Sequence, residues 1–139
     1  MTQKTISMTL AILFVLPMLC LAWDVEMGEV KLRWKKGFGN YHFLLAEVQI
    51  ANRTNTRWKA TGKFLFYDKD GFEIQSIHFF DSIEGMEKKT IHVKGIVSRY
   101  DYVKTTTFKI QSELGSFSWT DPGILPVTAE RALTLPPWD

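Results

Sequence analysis

Cysteine is almost missing from this chain: 139 residues contain one, Cys20, inside the apolar N-terminal stretch. The rest of the chain therefore has no residues for a disulfide framework, a zinc knuckle or a thiol nucleophile. Net charge is nearly missing too. Seventeen Lys and Arg stand against fifteen Asp and Glu, a formal balance of +2, so the totals show no electrostatic footprint for nucleic acid. There is no Gly-x-Ser-x-Gly elbow. Gly37-x-Gly39 lacks both the lysine and the following helix of a phosphate loop. What the chain does have is aromatic side chains, ten Phe, five Trp and four Tyr, in a composition that is 45% hydrophobic. Aromatics suit pleated, half-buried surfaces, which points to β-structure. The length fits one domain.

The first residues read as an export signal. Lys4 precedes an apolar run over residues 6–21, broken by Ser7, Thr9 and Pro17, and Cys20-Leu21-Ala22 then meets the polar Trp23-Asp24. Small residues at the −3 and −1 positions suit signal peptidase, so residues 1–22 are expected to be removed after Ala22. A lipoprotein signal would need a small residue before Cys20, where Leu19 stands. An uncleaved anchor would need roughly 20 apolar residues, more than the run supplies. The mature protein is thus expected outside the cytoplasm, periplasmic or secreted, with no stable membrane span.

Beyond residue 29 the pattern has a period of two. Val30, Leu32 and Trp34 alternate with Lys31 and Arg33; Leu44, Ala46, Val48 and Ile50 alternate with Glu47 and Gln49. Trp58, Ala60, Gly62, Phe64 and Phe66 share one face of a run over 57–67. Asp68-Lys69-Asp70-Gly71 is a hairpin signal, because Gly supplies the positive φ that closes such a turn. Further strands are expected over 72–80, 88–98 and 102–112, with Phe108 and Ile110 inward, and a short one over 116–120. Six or seven strands with no helix describe an all-β, antiparallel two-sheet immunoglobulin-like sandwich over residues 23–120. Pro122, Pro126, Pro136 and Pro137 then mark residues 121–139 as an extended, Pro-rich tail outside the sandwich. Trp138 in that tail either docks on the domain or serves as a docking peptide for a partner.

Phe64-Leu65-Phe66-Tyr67-Asp68, followed by Gly71, resembles the FxLYD domain, a small immunoglobulin-like sandwich of exported prokaryotic proteins. That family is named for a Phe-x-Leu-Tyr-Asp run closing a central strand before a Gly turn; here Phe66 replaces the Leu. Val48-x-Ile50-x-Asn52 upstream and Gly85 downstream echo the family's pattern, over about residues 41–112. The resemblance implies a fold and no catalytic residues. It gives Phe64, Phe66, Tyr67, Asp68 and Gly71 structural roles: ring packing between sheets, and a carboxylate accepting turn amides.

Chemistry-bearing clusters are few. His78 and His92 would face each other if their strands paired, although a closed zinc site takes four ligands and a catalytic one usually three. Asp68, Asp70 and Glu73 sit at one turn and Asp81, Glu84 and Glu87 at another, without the later ligands of a calcium hand. Asn52-Arg53-Thr54 matches the glycosylation pattern. Lys31, Arg33, Lys35 and Lys36, with Arg53, Arg57, Lys59 and Lys63, could form a positive patch for anionic lipid or an envelope polymer. The commoner use of such lysines is to guard strand edges.

With no catalytic residue, metal or cofactor assigned, the leading expectation is a non-catalytic binding or interaction module of the cell envelope with a protein partner. Phe43, Leu45, Tyr67, Phe79 and Trp138 are its contact candidates, and removal of residues 121–139 is expected to spare folding. The alternative is a structural subunit that self-associates through strand edges; a small metal-dependent hydrolase ranks below both.

Overall fold

The computed structural model describes residues 25–116 and 127–139; the expected signal segment lies outside them, as does the expected strand over 116–120 beyond Ser116. Alternation does shape the strands, and seven form among the described residues. They are β1 (Val25–Lys36), β2 (Tyr41–Asn52), β3 (Trp58–Tyr67), β4 (Glu73–Ile83), β5 (Lys88–Ser98), β6 (Thr107–Ser116) and β7 (Val127–Leu133). One short helix, α1 (Arg99–Lys104), links β5 to β6. All pairings are antiparallel, in a three-stranded sheet ordered β1-β2-β5 and a four-stranded sheet ordered β4-β3-β6-β7. Two such sheets facing each other make the immunoglobulin-like sandwich.

The core lies between them. Leu44, Val48, Ile50, Val93 and Val97 of one sheet meet Phe64, Phe66, Ile77, Ile83 and Ile110 of the other, all buried. Each buried side chain of this size contributes about 1.5–3 kcal/mol. Phe64 lies parallel to Phe108 with ring centres 5.8 Å apart, and Phe66 tilts against Phe108 at 4.7 Å. Phe79, expected on the outer surface, points inward and is 8% exposed, 5.8 Å from Phe64. Its partner across the ladder is Gly62, and a Cβ there would sit 2.3 Å from the Phe79 ring. The missing side chain makes the room, while the neighbouring Phe80 takes the outward position at 63% exposure. Leu65 is also buried, although its parity is outward; Ser76 and Lys109 flank it on the adjacent strands.

Three further differences concern the edges and connections. β1 is already formed at Val25, earlier than the alternation suggests, because a bulge between Met27 and Val30 breaks its parity. Residues 99–104 are helical where no helix was expected. Ser98 caps the helix by accepting the Asp101 amide at 3.1 Å, a Ser-x-x-Asp start signal hidden within an otherwise alternating run.

Most consequentially, residues 127–133 do not belong to a tail. They form β7, registered on β6 from Val127 opposite Leu114 to Leu133 opposite Phe108. Proline flanks this strand at Pro126 and Pro136 without interrupting it, as an edge strand permits. Arg131 reaches from β7 to β1 and donates to the Gly28 carbonyl at 2.6 Å and the Met27 carbonyl at 3.1 Å. It thereby satisfies bulge carbonyls and ties the two sheets along one side. On the other side Lys89 of β5 bonds Asp81 of β4 at 3.0 Å, and Gln75 of β4 donates to the Ile96 carbonyl at 2.5 Å.

Deleting residues 127–139 strips β6 of one of its two partners and removes the contacts of Leu133, Leu135 and Trp138 with the core. The expected loss is about 3 kcal/mol or more, read as a lower urea midpoint; an unchanged midpoint would show that β7 adds nothing to the fold.

Candidate functional site

The connections gather at two ends of the sandwich. At the upper end, where Val25 begins β1, the loops after β2 and β4 are locked by Asn52, which is 2% exposed. Its Nδ2 donates to the carbonyls of Thr56 at 2.9 Å, Glu84 at 3.0 Å and Ile83 at 3.3 Å. Its Oδ1 accepts from the Thr54 amide at 3.0 Å and hydroxyl at 2.6 Å. The sequence pattern that marks Asn52 for glycosylation is thus a buried, fully bonded clamp, closed to a sugar in the folded state.

At the lower end lie the β1–β2 turn, the β3–β4 turn, α1 and residues 134–139. The Arg99 amide bonds the Asn40 carbonyl at 2.7 Å and the Thr106 amide bonds that of Tyr67 at 2.8 Å, so both sheets share this end. In the β3–β4 turn Asp68 Oδ1 accepts the amides of Asp70 and Phe72, each at 2.9 Å, and Gly71 takes φ +83. A Cβ would resist that left-handed backbone.

Trp138 packs on its own domain. Its ring stacks on His42 with centres 4.0 Å apart at 8°, and lies 5.0 Å from Trp34 and 5.1 Å from Tyr102. Trp34 Nε1 fixes the segment by donating to the Pro136 carbonyl at 2.8 Å. Four aromatic residues from β1, β2, α1 and the C-terminal segment therefore plug the lower end of the core. The reading of Trp138 as a free docking peptide is set aside, because its ring is spent on these contacts.

Around that plug the surface is apolar. Phe38 (76% exposed), Phe72 (70%), Val103 (70%), Tyr100 (67%), Ile96 (52%) and Tyr41 (49%) all stand at or beside this end. Of the contact candidates drawn from the sequence, Phe43 lies on the adjoining outer face of the three-stranded sheet, half-buried, with the Lys94 ammonium 4.3 Å above its ring. Leu45 stands in the next row of the same face, also half-buried. Tyr67 is on the opposite face of the molecule under Lys109, 5.1 Å away. The Glu130 carboxylate, 2.6 Å from Lys109, holds that ammonium above its ordinary pKa. A bond to the Tyr100 hydroxyl does the same for Lys104. Phe38 in its turn and Tyr100 and Val103 in the short α1 belong to no alternating run and so carry no periodic signal in the sequence.

The other candidate clusters are dispersed. His78 pairs with Lys63 in the four-stranded sheet and His92 with Glu47 in the three-stranded one, so the sandwich separates them. Among the described residues no three His, Cys, Asp or Glu are grouped to hold a metal ion. The eight cations do not form one patch. Lys31, Arg33 and Lys35 lie outside one sheet and Lys59 and Lys63 outside the other, while Arg53 pairs with Glu26 at 2.7 Å and Arg57 with Glu84 at 3.1 Å.

No family model and no curated protein matches the chain. Solved structures do. A Northeast Structural Genomics Consortium target, SoR45, superposes with a TM-score of 0.54 at 12% identity, covering 83% of this chain and 88% of that one. A β-glucuronidase of glycoside hydrolase family 2 superposes at 0.51 and 12% identity, over 76% of this chain, which spans 11% of the enzyme's length. At such identity the likeness is one of fold, that of an immunoglobulin-like antiparallel sandwich.

Two substitutions test the two ends. Asn52→Ala leaves several buried backbone groups unpaired and is expected to cost about 2–4 kcal/mol; a urea midpoint within error of the parent would contradict the clamp. Trp138→Ala is expected to cost about 1–2 kcal/mol and to remove the exciton signal of the Trp34–Trp138 pair in far-ultraviolet circular dichroism. Persistence of that signal would show that the segment is not docked.

Proposed function

We propose that this protein is an exported, non-catalytic interaction module of the cell envelope that works by contact at the lower end of its sandwich. The observation carrying this reading is the ring of exposed Phe38, Tyr41, Phe72, Ile96, Tyr100 and Val103 around the aromatic plug. Apolar side chains gathered on a small domain, and not scattered singly, are characteristic of surfaces that meet a partner. Loops and turns on a rigid sandwich are also where such proteins carry recognition. The export signal read from residues 1–22 places the encounter outside the cytoplasm. The Asp68 turn and the inward Phe64 and Phe66 support kinship with the FxLYD domain, whose members share a fold and no catalytic residues.

Self-association as an envelope subunit is the second reading, favoured by the same exposed ring. A photo-crosslinking residue at Phe38, with a matching one at Phe80 on a remote face, separates the two in cells. Capture of a discrete heterologous protein from position 38 and not from position 80 is the expected result. Crosslinks to the chain itself would transfer the weight to the subunit reading, and equal capture from both positions would sink the assignment of this end. Mass spectrometry of the same sample is expected to find Trp23 as the first residue.

A further inference from the structure

The pleat arranges the outer face of the β1-β2-β5 sheet in rows, each with one residue per strand. Toward the lower end, Arg33, Leu45 and Lys94 form one row, and Lys35, Phe43 and Ile96 the next. Strands lie about 4.8 Å apart and like-facing residues about 6.6 Å apart along them. Three cations and three apolar side chains therefore share a flat area of about 10 by 7 Å. Neither row holds a carboxylate; the acid of the row above is Glu47, between Lys31 and His92 and 3.8 Å from the histidine ring. The turn that borders the rows carries Phe38, 76% exposed, and α1 beyond Ser98 adds Arg99, Tyr100, Val103 and Lys104, with Asp101 on the helix and Asp68 of the β3–β4 turn as the acids that act on Lys104. On the outer face of the other sheet the charges alternate in sign. Lys59, Lys63 and Lys109 mix with Glu113 and Glu130, and Lys109 is ion-paired to Glu130. Among the described residues, this side thus gathers Arg33, Lys35 and Lys94 without an acid in their rows, beside the exposed Phe38 and Ile96.

We infer that this face and the Phe38 turn dock peripherally on an anionic lipid membrane. The inference rests on the reading of the lower end as a contact surface and adds a lipid contact for the sheet face and turn that border it. A soluble polyanion would satisfy Arg33, Lys35 and Lys94 but would leave Phe38, Phe43 and Ile96 without an apolar partner. A bilayer interface supplies both, anionic head groups for the ammonium and guanidinium groups and acyl depth for the rings. Lys94 lies over the Phe43 ring and so holds its ammonium at the outer surface, within reach of the head-group layer. Each basic residue at such a surface contributes about a fivefold change in partition.

The test is co-sedimentation of the protein, as recovered from the cell, with vesicles of phosphatidylcholine alone or with phosphatidylglycerol added. Binding is expected to the anionic vesicles in preference to the neutral ones and to weaken as salt rises. Arg33→Glu with Lys35→Glu is expected to reduce it by about thirtyfold or more. Lys59→Glu with Lys63→Glu makes the same change of net charge on the opposite face and is expected to leave it within about threefold. All four side chains project outward, and thermal melts of the two variants that match the parent are the control that both are folded. Phe38→Ser is expected to weaken binding without altering its salt dependence. Equal partition into neutral and anionic vesicles, or equal losses from the two charge pairs, overturns the membrane assignment. Absence of vesicle binding alongside capture of an acidic protein from position 38 also overturns it, while leaving the contact module standing.

Discussion

The parallel stacking of Phe64 on Phe108, with Phe66 and Phe79 tilted against the same pair, sets the spacing that the rest of the sandwich must meet. These rings come from three adjacent strands of one sheet, and their combined thickness fixes how closely Leu44, Val48 and Val97 of the other sheet can approach. Gly62 is the local condition for that arrangement. Any side chain there would collide with the Phe79 ring, and overpacking of a dense core is typically destabilising by about 1–3 kcal/mol.

A two-sheet core is open along its sides and ends, and each opening here is closed by different chemistry. Along one side Arg131 spans from β7 to the carbonyls that the β1 bulge leaves outside its ladder. Along the other, Lys89 and Gln75 bridge β5 and β4. The upper end is held by hydrogen bonds converging on one buried amide, Asn52, so its loops are rigid and polar. The lower end is closed by aromatic packing of Trp34, His42, Tyr102 and Trp138. Rings seal an end well but leave apolar surface around their margins, and that margin is where Phe38, Tyr41, Tyr100 and Val103 emerge. The proposed contact surface is in this sense the outer rim of the seal.

The sorting of charge follows from the same geometry. Within a strand the sequence decides only which residues share a face. Register then decides which neighbours those faces acquire. Lys35 acquires Phe43 and Ile96, whereas Lys109 acquires Glu130 across its own ladder. A near-neutral composition is therefore compatible with one amphiphilic face and one of mixed, self-compensating charge.

Much of the architecture was legible from alternation, because a period of two commits each residue to one side of a sheet without reference to anything distant. The two-layer antiparallel sandwich, the inward faces of β2 and β3, and the turn at Asp68–Gly71 follow from that local rule. Where both parities carry apolar residues, as with Ile74 and Phe80 against Ile77, Phe79 and Ile83 in β4, the local rule is weakened, and Gly62 on another strand supplies the room that Phe79 fills. The strand Val127–Leu133 was hidden because its inward side is short on apolar bulk and Arg131 occupies a place that only the β1 bulge explains. The candidate surface was less legible still. Phe38, Tyr100 and Val103 are isolated in sequence, and the rows Arg33-Leu45-Lys94 and Lys35-Phe43-Ile96 are assembled from three strands. The sequence alone determined the class of fold, since alternation is a short-range pattern. Which histidines, cations and aromatics became neighbours was decided by tertiary structure, because strand order and register bring together residues that the chain keeps tens of positions apart.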